Sequence, residues 1–126
     1  GGPYGVPQFR SMIDYGLNPV MVTDTTGTVP GSSAPLLNMA ASMLEPKHGG
    51  AAPNANEVLT FEQALWMNTA SAAFSIFEEH EKGTITPGKL GDLAVLSQNP
   101  KTLHGPDLFE MGVDATILGG EIVFRA

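Results

Sequence analysis

Cysteine is absent from the 126 residues, which excludes disulfide frameworks, thiolate zinc sites and cysteine nucleophiles. Positive charge is scarce. Six Lys and Arg stand against thirteen Asp and Glu, a formal net charge of −7. Neutralising a phosphate backbone needs the opposite balance, so nucleic acid is not expected as a partner. No apolar run approaches the ~20 residues of a membrane helix, so no membrane partner is expected either. No basic stretch precedes an apolar one as in a secretory leader, and the expected location is cytoplasmic. No G-x-x-x-x-G-K-[ST] phosphate loop is present. Charged residues make up only 15% and hydrophobic ones 42%, which permits a core and argues against wholesale disorder. The length suits one ordinary domain. Glycine and proline are plentiful, at 15 and 10, and imply many turns and short elements. The chain opens Gly1-Gly2-Pro3 without an initiator Met, so a fragment or processed product is expected.

The pattern along the chain changes once. Phe9, Met12 and Ile13 recur at helical spacing over roughly residues 8 to 15, with Gly16 as the cap. Pro19-Val20-Met21-Val22-Thr23 reads as a strand without alternation, as in a parallel strand covered on both faces, and Asp24 stands at its C-terminal end. A loop over Thr25 to Ala34 precedes a helix that starts near Pro35 and stops before Pro46. A second loop covers 46 to 57. Thr60-Phe61-Glu62-Gln63 is a capping box, and Phe61, Leu65, Ala72, Ile76 and Phe77 lie on one stripe of a helix predicted to run to Gly83. After Gly83 the period is that of strands: Thr84 to Thr86, Asp92 to Leu96, and two β-rich runs around Gly119-Gly120, a hairpin signal. Pro87-Gly88 and Asn99-Pro100 are turns. The front half is α/β in pattern and the back half all-β. About forty residues with three or four strands are few to stand alone, so packing against something else is expected.

One stretch resembles a known family. Gly83-Thr-Ile-Thr-Pro87-Gly88-Lys89-Leu90-Gly91-Asp92-Leu93-Ala94-Val95-Leu96 is similar to the run near the C-terminus of metal-dependent amidohydrolases that enters their small β-sandwich. Leu59 to Leu65 resembles the family's "LT-x-E-x-AL" helix start, Asn68-Thr69 to Ala73 its "T-x-N-A-A", and Thr116 to Val123 its terminal hairpin. The nearest branch is the YtcJ-like group, related to formamide deformylases. The resemblance implies an α/β fold: the terminal βα portion of a TIM barrel over 1–82, and the closing strands of a β-sandwich domain over 83–126 (α+β when taken alone). It implies a hydrolase that cleaves C–N bonds of small amides, formamides or cyclic amides with water activated by a divalent metal, zinc by default, one or two ions.

The resemblance also assigns one residue. The family's eighth barrel strand ends in an Asp, and Asp24 occupies that place, as metal ligand and as catalytic carboxylate. Barrel chemistry does sit at the C-terminal ends of strands. A carboxylate there can bind a divalent ion and carry a proton from water to the leaving amine. Thr23 replaces the usual Ser, and Thr26 stands where Pro is common. The other family ligands are missing: no H-x-H occurs, and His48, His80 and His104 fall in loops or at a helix end. A catalytic zinc normally takes three protein ligands, so no metal is expected to bind this chain stably, and the chain alone should be inert. Its partner would be the missing N-terminal barrel portion or a second copy in a homo-oligomer. The other function class is a non-catalytic interaction module that pairs through an exposed sheet edge.

Plainer roles suit most other candidates. His48 reads as solvated, His80 as a helix C-terminal residue and His104 as packed in its connection. Asp92 reads as a structural residue bonding turn amides near Pro87-Gly88. Glu78, Glu79 and Glu81 read as a solvated face, and Trp66, Phe74 and Phe77 as core or interface.

Overall fold

A computed structural model describes residues 8–23, 34–49 and 54–126. Helix α1 runs Phe9–Asp14 and α2 Pro35–Met43. Pro35 opens α2, where its missing amide costs nothing. Helix α3, Phe61–Asn68, starts on the expected capping box: Gln63 N–H donates to the Thr60 hydroxyl at 3.2 Å, and Thr60 N–H donates to the Gln63 side chain at 3.0 Å.

The single helix expected from Thr60 to Gly83 is two. Thr69, at φ −127 and ψ −85, ends α3, and α4 covers only Ala70–Ser75. The Thr69 hydroxyl donates to the Leu65 carbonyl at 2.7 Å, a back-bond that competes with the backbone ladder. Helix α4 then closes in a Schellman-type turn. Glu78 N–H reaches back to the Ala73 carbonyl and Phe77 N–H to Phe74. Phe77 takes the left-handed conformation at φ 62 that glycine usually fills. The buried face is not the expected stripe. Ala64, Met67, Ser71 and Ala73 are buried, whereas Leu65, Phe74, Ile76 and Phe77 of the expected apolar set are exposed.

The expected strand at Pro19–Thr23 forms no ladder among the described residues, nor does Thr84–Thr86. Val22 is 72% exposed, so the segment is not covered on both faces. A strand needs a neighbour to bond, and no described strand lies beside it.

The one described sheet is antiparallel, in the order β1 (Leu93–Leu96), β2 (Val113–Leu118), β3 (Glu121–Arg125). Its hairpin turns through Gly119 and Gly120 at φ 58 and 87, the pair of positive angles a two-residue type I′ turn demands. Ile117 pairs with Ile122 but Thr116 with Phe124, so Val123 is the extra residue of a bulge. Asp92 does bond a turn amide, but it is Gly119 N–H of the hairpin, at 2.8 Å.

Two apolar clusters hold the helices. One joins Met21, Met39, Leu59, Ala64 and Met67, with Trp66 packed against it. The other joins Ala40 and Leu44 of α2 to Leu108 and Met111 in the connection between β1 and β2. Every residue of β3 is exposed, including Ile122, Val123 and Phe124. Ile85 at 90% and Phe77 at 87% are exposed as well.

Candidate functional site

The site begins with the Pro19–Thr23 segment, because the candidate residue Asp24 follows it. Asp24 itself lies outside the described residues. What the structure describes is how the segment before it is held. Met21 is 9% exposed and lies in the first apolar cluster. The Ser71 hydroxyl donates to the Pro19 carbonyl at 2.9 Å. Met21 N–H reaches the Met67 carbonyl at a long 3.5 Å. The Asn68 amide donates to the Met21 sulfur at 3.4 Å and to the Ala64 carbonyl at 2.9 Å. All three supports come from the α3–α4 junction.

Sequence reasoning missed Asn68 and Ser71 as supports. It placed Asn68 and the stretch to Ala73 only within the family resemblance. The available signal was a single hydroxyl inside an apolar stretch, since a buried hydroxyl needs a partner.

The other candidates do not gather. Among the described residues no three of His, Asp and Glu lie close enough to hold a metal ion. His80 is 91% exposed, with Glu79 3.5 Å away. His104 is exposed rather than packed, and it lines a cleft of about 310 Å³ with Met43, Phe61, Glu62, Lys101 and Leu103. Of His48, only the backbone is described, in the short turn Pro46–His48. Glu78 and Glu79 are half-buried rather than a solvated face, and Glu78 pairs with Lys82. The described donors therefore do not fit a metal on their own.

Two carboxylates outside this region are perturbed. Glu62 meets Lys101 at 2.8 Å, and the hydrogen bond from Lys101 holds the Glu62 carboxyl below its ordinary range. Glu57 is held low by hydrogen bonds from the Ser11 hydroxyl and Ser11 N–H. Both have a structural partner and neither faces the Pro19–Thr23 segment in any described contact.

Comparison with known proteins identifies the chain's relations. The solved amidohydrolase from Thermotoga maritima MSB8 superposes with a TM-score of 0.69 over 94% of this chain and 26% of that one, at 21% identity, which establishes the shared fold. The N-substituted formamide deformylase of Arthrobacter pascens is 29% identical over 116 residues, 92% of this chain. The putative amidohydrolase YtcJ of Bacillus subtilis (strain 168) is 28% identical over 94 residues, 72% of the chain. Protein LONG AFTER FAR-RED 3 of Arabidopsis thaliana is 36% identical over 69 residues, 55% of the chain. The matched stretches make up only 12%, 18% and 21% of the plant, Bacillus and Arthrobacter proteins. The model of the amidohydrolase family matches residues 2–124, and the chain belongs to that family.

Proposed function

We propose that this chain is the C-terminal part of a longer hydrolase of the amidohydrolase type that cleaves the C–N bond of a small amide, formamide or cyclic amide. The observation that carries the reading is the family match across residues 2–124. The formamide deformylase relative, aligned over 92% of the chain, favours an N-substituted amide as the substrate class. In this reading residues 1–82 are the last βα portion of a TIM barrel, and 83–126 close a β-sandwich. The Pro19–Thr23 segment is then the final barrel strand, left without a ladder because its neighbours belong to the rest of the protein. The exposed apolar surface of Phe77, Ile85, Ile122 and Phe124 suits a chain that packs against such a remainder.

Asp24 is the residue we assign to the chemistry. Hydrolysis adds a hydroxyl from water to the carbonyl carbon and returns a proton to the leaving nitrogen. A carboxylate at a strand end can carry that proton. A divalent metal, zinc by default, belongs to the whole enzyme, and its further ligands come from outside this chain. The protein is read as cytoplasmic; no helix of the described residues is long and apolar enough to cross a membrane.

The experiment is expression of the longer reading frame that contains this chain. Its zinc content and its hydrolysis of N-acyl and N-formyl amines are compared with those of Asp24→Asn. Turnover should fall by a factor on the order of 10² to 10⁴, the scale of a lost proton carrier. Equal turnover by both proteins removes Asp24 from the reaction.

A further inference from the structure

We infer that Ser71 is a positioning residue that fixes the Pro19–Thr23 segment, the stretch of chain that leads into Asp24. The inference rests on the reading of Asp24 above. The hydrogen bonds described for the segment come from the α3–α4 junction, and they tie it to the helices whether or not strands of the longer protein flank it. The Ser71 hydroxyl on the Pro19 carbonyl is the shortest of them at 2.9 Å. Ser71 is 1% exposed, and Met67 beside the segment is fully buried. In that dry setting a lost hydroxyl leaves the Pro19 carbonyl without this donor, where water does not readily replace it.

The broken helix is what frees these groups. In an unbroken helix the Met67 carbonyl would accept the Ser71 amide, and a mid-helix serine hydroxyl commonly bonds back one turn. Thr69 leaves the helical region instead. The Met67 carbonyl then faces Met21 N–H and the Ser71 hydroxyl faces Pro19. Asn68 adds its contact to the Met21 sulfur while staying tied to its own helix through the Ala64 carbonyl. The strap is thus anchored at both Pro19 and Met21, within five residues of position 24. A catalytic group displaced by about 1 Å loses on the order of 10²-fold in rate, so a support at this distance from the chemistry matters.

The test uses the longer protein in four forms: unchanged, Ser71→Ala, Ser71→Thr and Asp24→Asn. Hydrogen–deuterium exchange is followed in peptides covering 17–23 and, as a control, 113–125. Ser71→Ala should speed exchange in 17–23 by about tenfold while leaving the hairpin unchanged, the signature of a local opening. Its kcat on formanilide should fall by about 10- to 100-fold with KM unchanged, because misplacement of a reacting group acts on the chemical step. Ser71→Thr, which keeps the hydroxyl, should restore both. Unchanged exchange in 17–23, a uniform rise across the protein, or an unchanged kcat overturns the positioning role. Undiminished turnover by Asp24→Asn overturns the reading of Asp24, and the positioning role with it, whatever the exchange shows.

Discussion

The side chains of Ser11 and Glu57, 46 residues apart in sequence, meet at the start of α1, where the Glu57 carboxylate accepts both the Ser11 hydroxyl and, at 3.1 Å, the Ser11 N–H. Ser11 is the third residue of α1, so its amide is one of the donors a helix cannot satisfy internally. No side chain of the N-cap residue, Gln8, bonds the helix. A distant glutamate does the capping, and it ties α1 to the turn Ala55–Glu57.

That contact has a pH signature. The Ser11 hydrogen bonds hold the Glu57 carboxyl below its ordinary value of 4.5. A depressed folded-state pKa means stability that is fully present above the unfolded value and is lost as pH falls through the folded one. Acid unfolding of the chain should therefore lose part of its steepness below about pH 4.5 in Glu57→Gln. Circular dichroism across an acid titration reads this directly. Parallel acid limbs in the two proteins would show that Glu57 contributes nothing to the linkage.

A second prediction separates the core from the stripe legible in the sequence. Met67 is fully buried in the first cluster, whereas Leu65, two residues earlier on the same helix, is 39% exposed. Met67→Ala should cost about 2–5 kcal/mol, the range for truncating a buried large side chain. Leu65→Ala should cost well under half of that, since much of its side chain stays in water in either state. Urea melts of the two variants rank them, and the reverse order would contradict the packing described.

That contrast marks where sequence reasoning worked. Local rules were legible: the Thr60–Gln63 capping box, Pro35 at the head of α2, the Gly119-Gly120 hairpin and the Pro87-Gly88 turn, where Lys89 N–H bonds the Thr86 carbonyl at 3.1 Å and Gly88 has φ 93. Each rests on a few adjacent residues. The break at Thr69 was not legible, because threonine is an ordinary helix residue and its back-bond to Leu65 acts only in a given backbone geometry. With the break missed, the expected stripe carried Ile76 and Phe77, which are exposed, and did not include Ser71, which is buried. The Ser11–Glu57 contact and the supports of Pro19 and Met21 are long-range pairings that no local pattern announces. Of the candidate site, the position of Asp24 after an apolar run was readable; what holds that run was not.

Phe77 makes a third prediction. It holds φ 62 with its side chain 87% exposed, so it has the backbone conformation of a C-terminal cap glycine and little packing in return. A non-glycine residue there costs about 1–2 kcal/mol, against about 0.5–1 kcal/mol of extra chain entropy for glycine. Phe77→Gly in this chain should thus be neutral to stabilising, by up to about 1 kcal/mol. In the proposed longer protein the same change should destabilise if the remainder covers Phe77. Thermal melts of the two lengths, compared side by side, test both the strain and the proposed cover; destabilisation of the short chain would mean that the aromatic ring packs there.

Gly83 is where the reading of a small residue is tightest. Its φ is +92, and a Cβ built on it would stand 2.8 Å from the Ala73 Cβ and 3.0 Å from the Ala70 Cα. Helix α4 and the chain leading to the sheet approach each other there at backbone range, and a flexible side chain is not available to yield. Two penalties coincide in Gly83→Ala, a left-handed backbone for a Cβ-bearing residue and a clash with backbone and a short side chain. The expected loss is about 2–4 kcal/mol, from the ~1–3 kcal/mol of such backbone strain plus overpacking. Ala73→Gly tests the cause, because it removes the closest of the contacts. Paired with Gly83→Ala it should recover the share of the clash that Ala73 Cβ carries and leave the backbone contacts and the backbone strain, so the double variant should be less destabilised than the sum of the two single ones. Strict additivity in a double-mutant cycle would mean that the Cβ contact with Ala73 carries none of the cost.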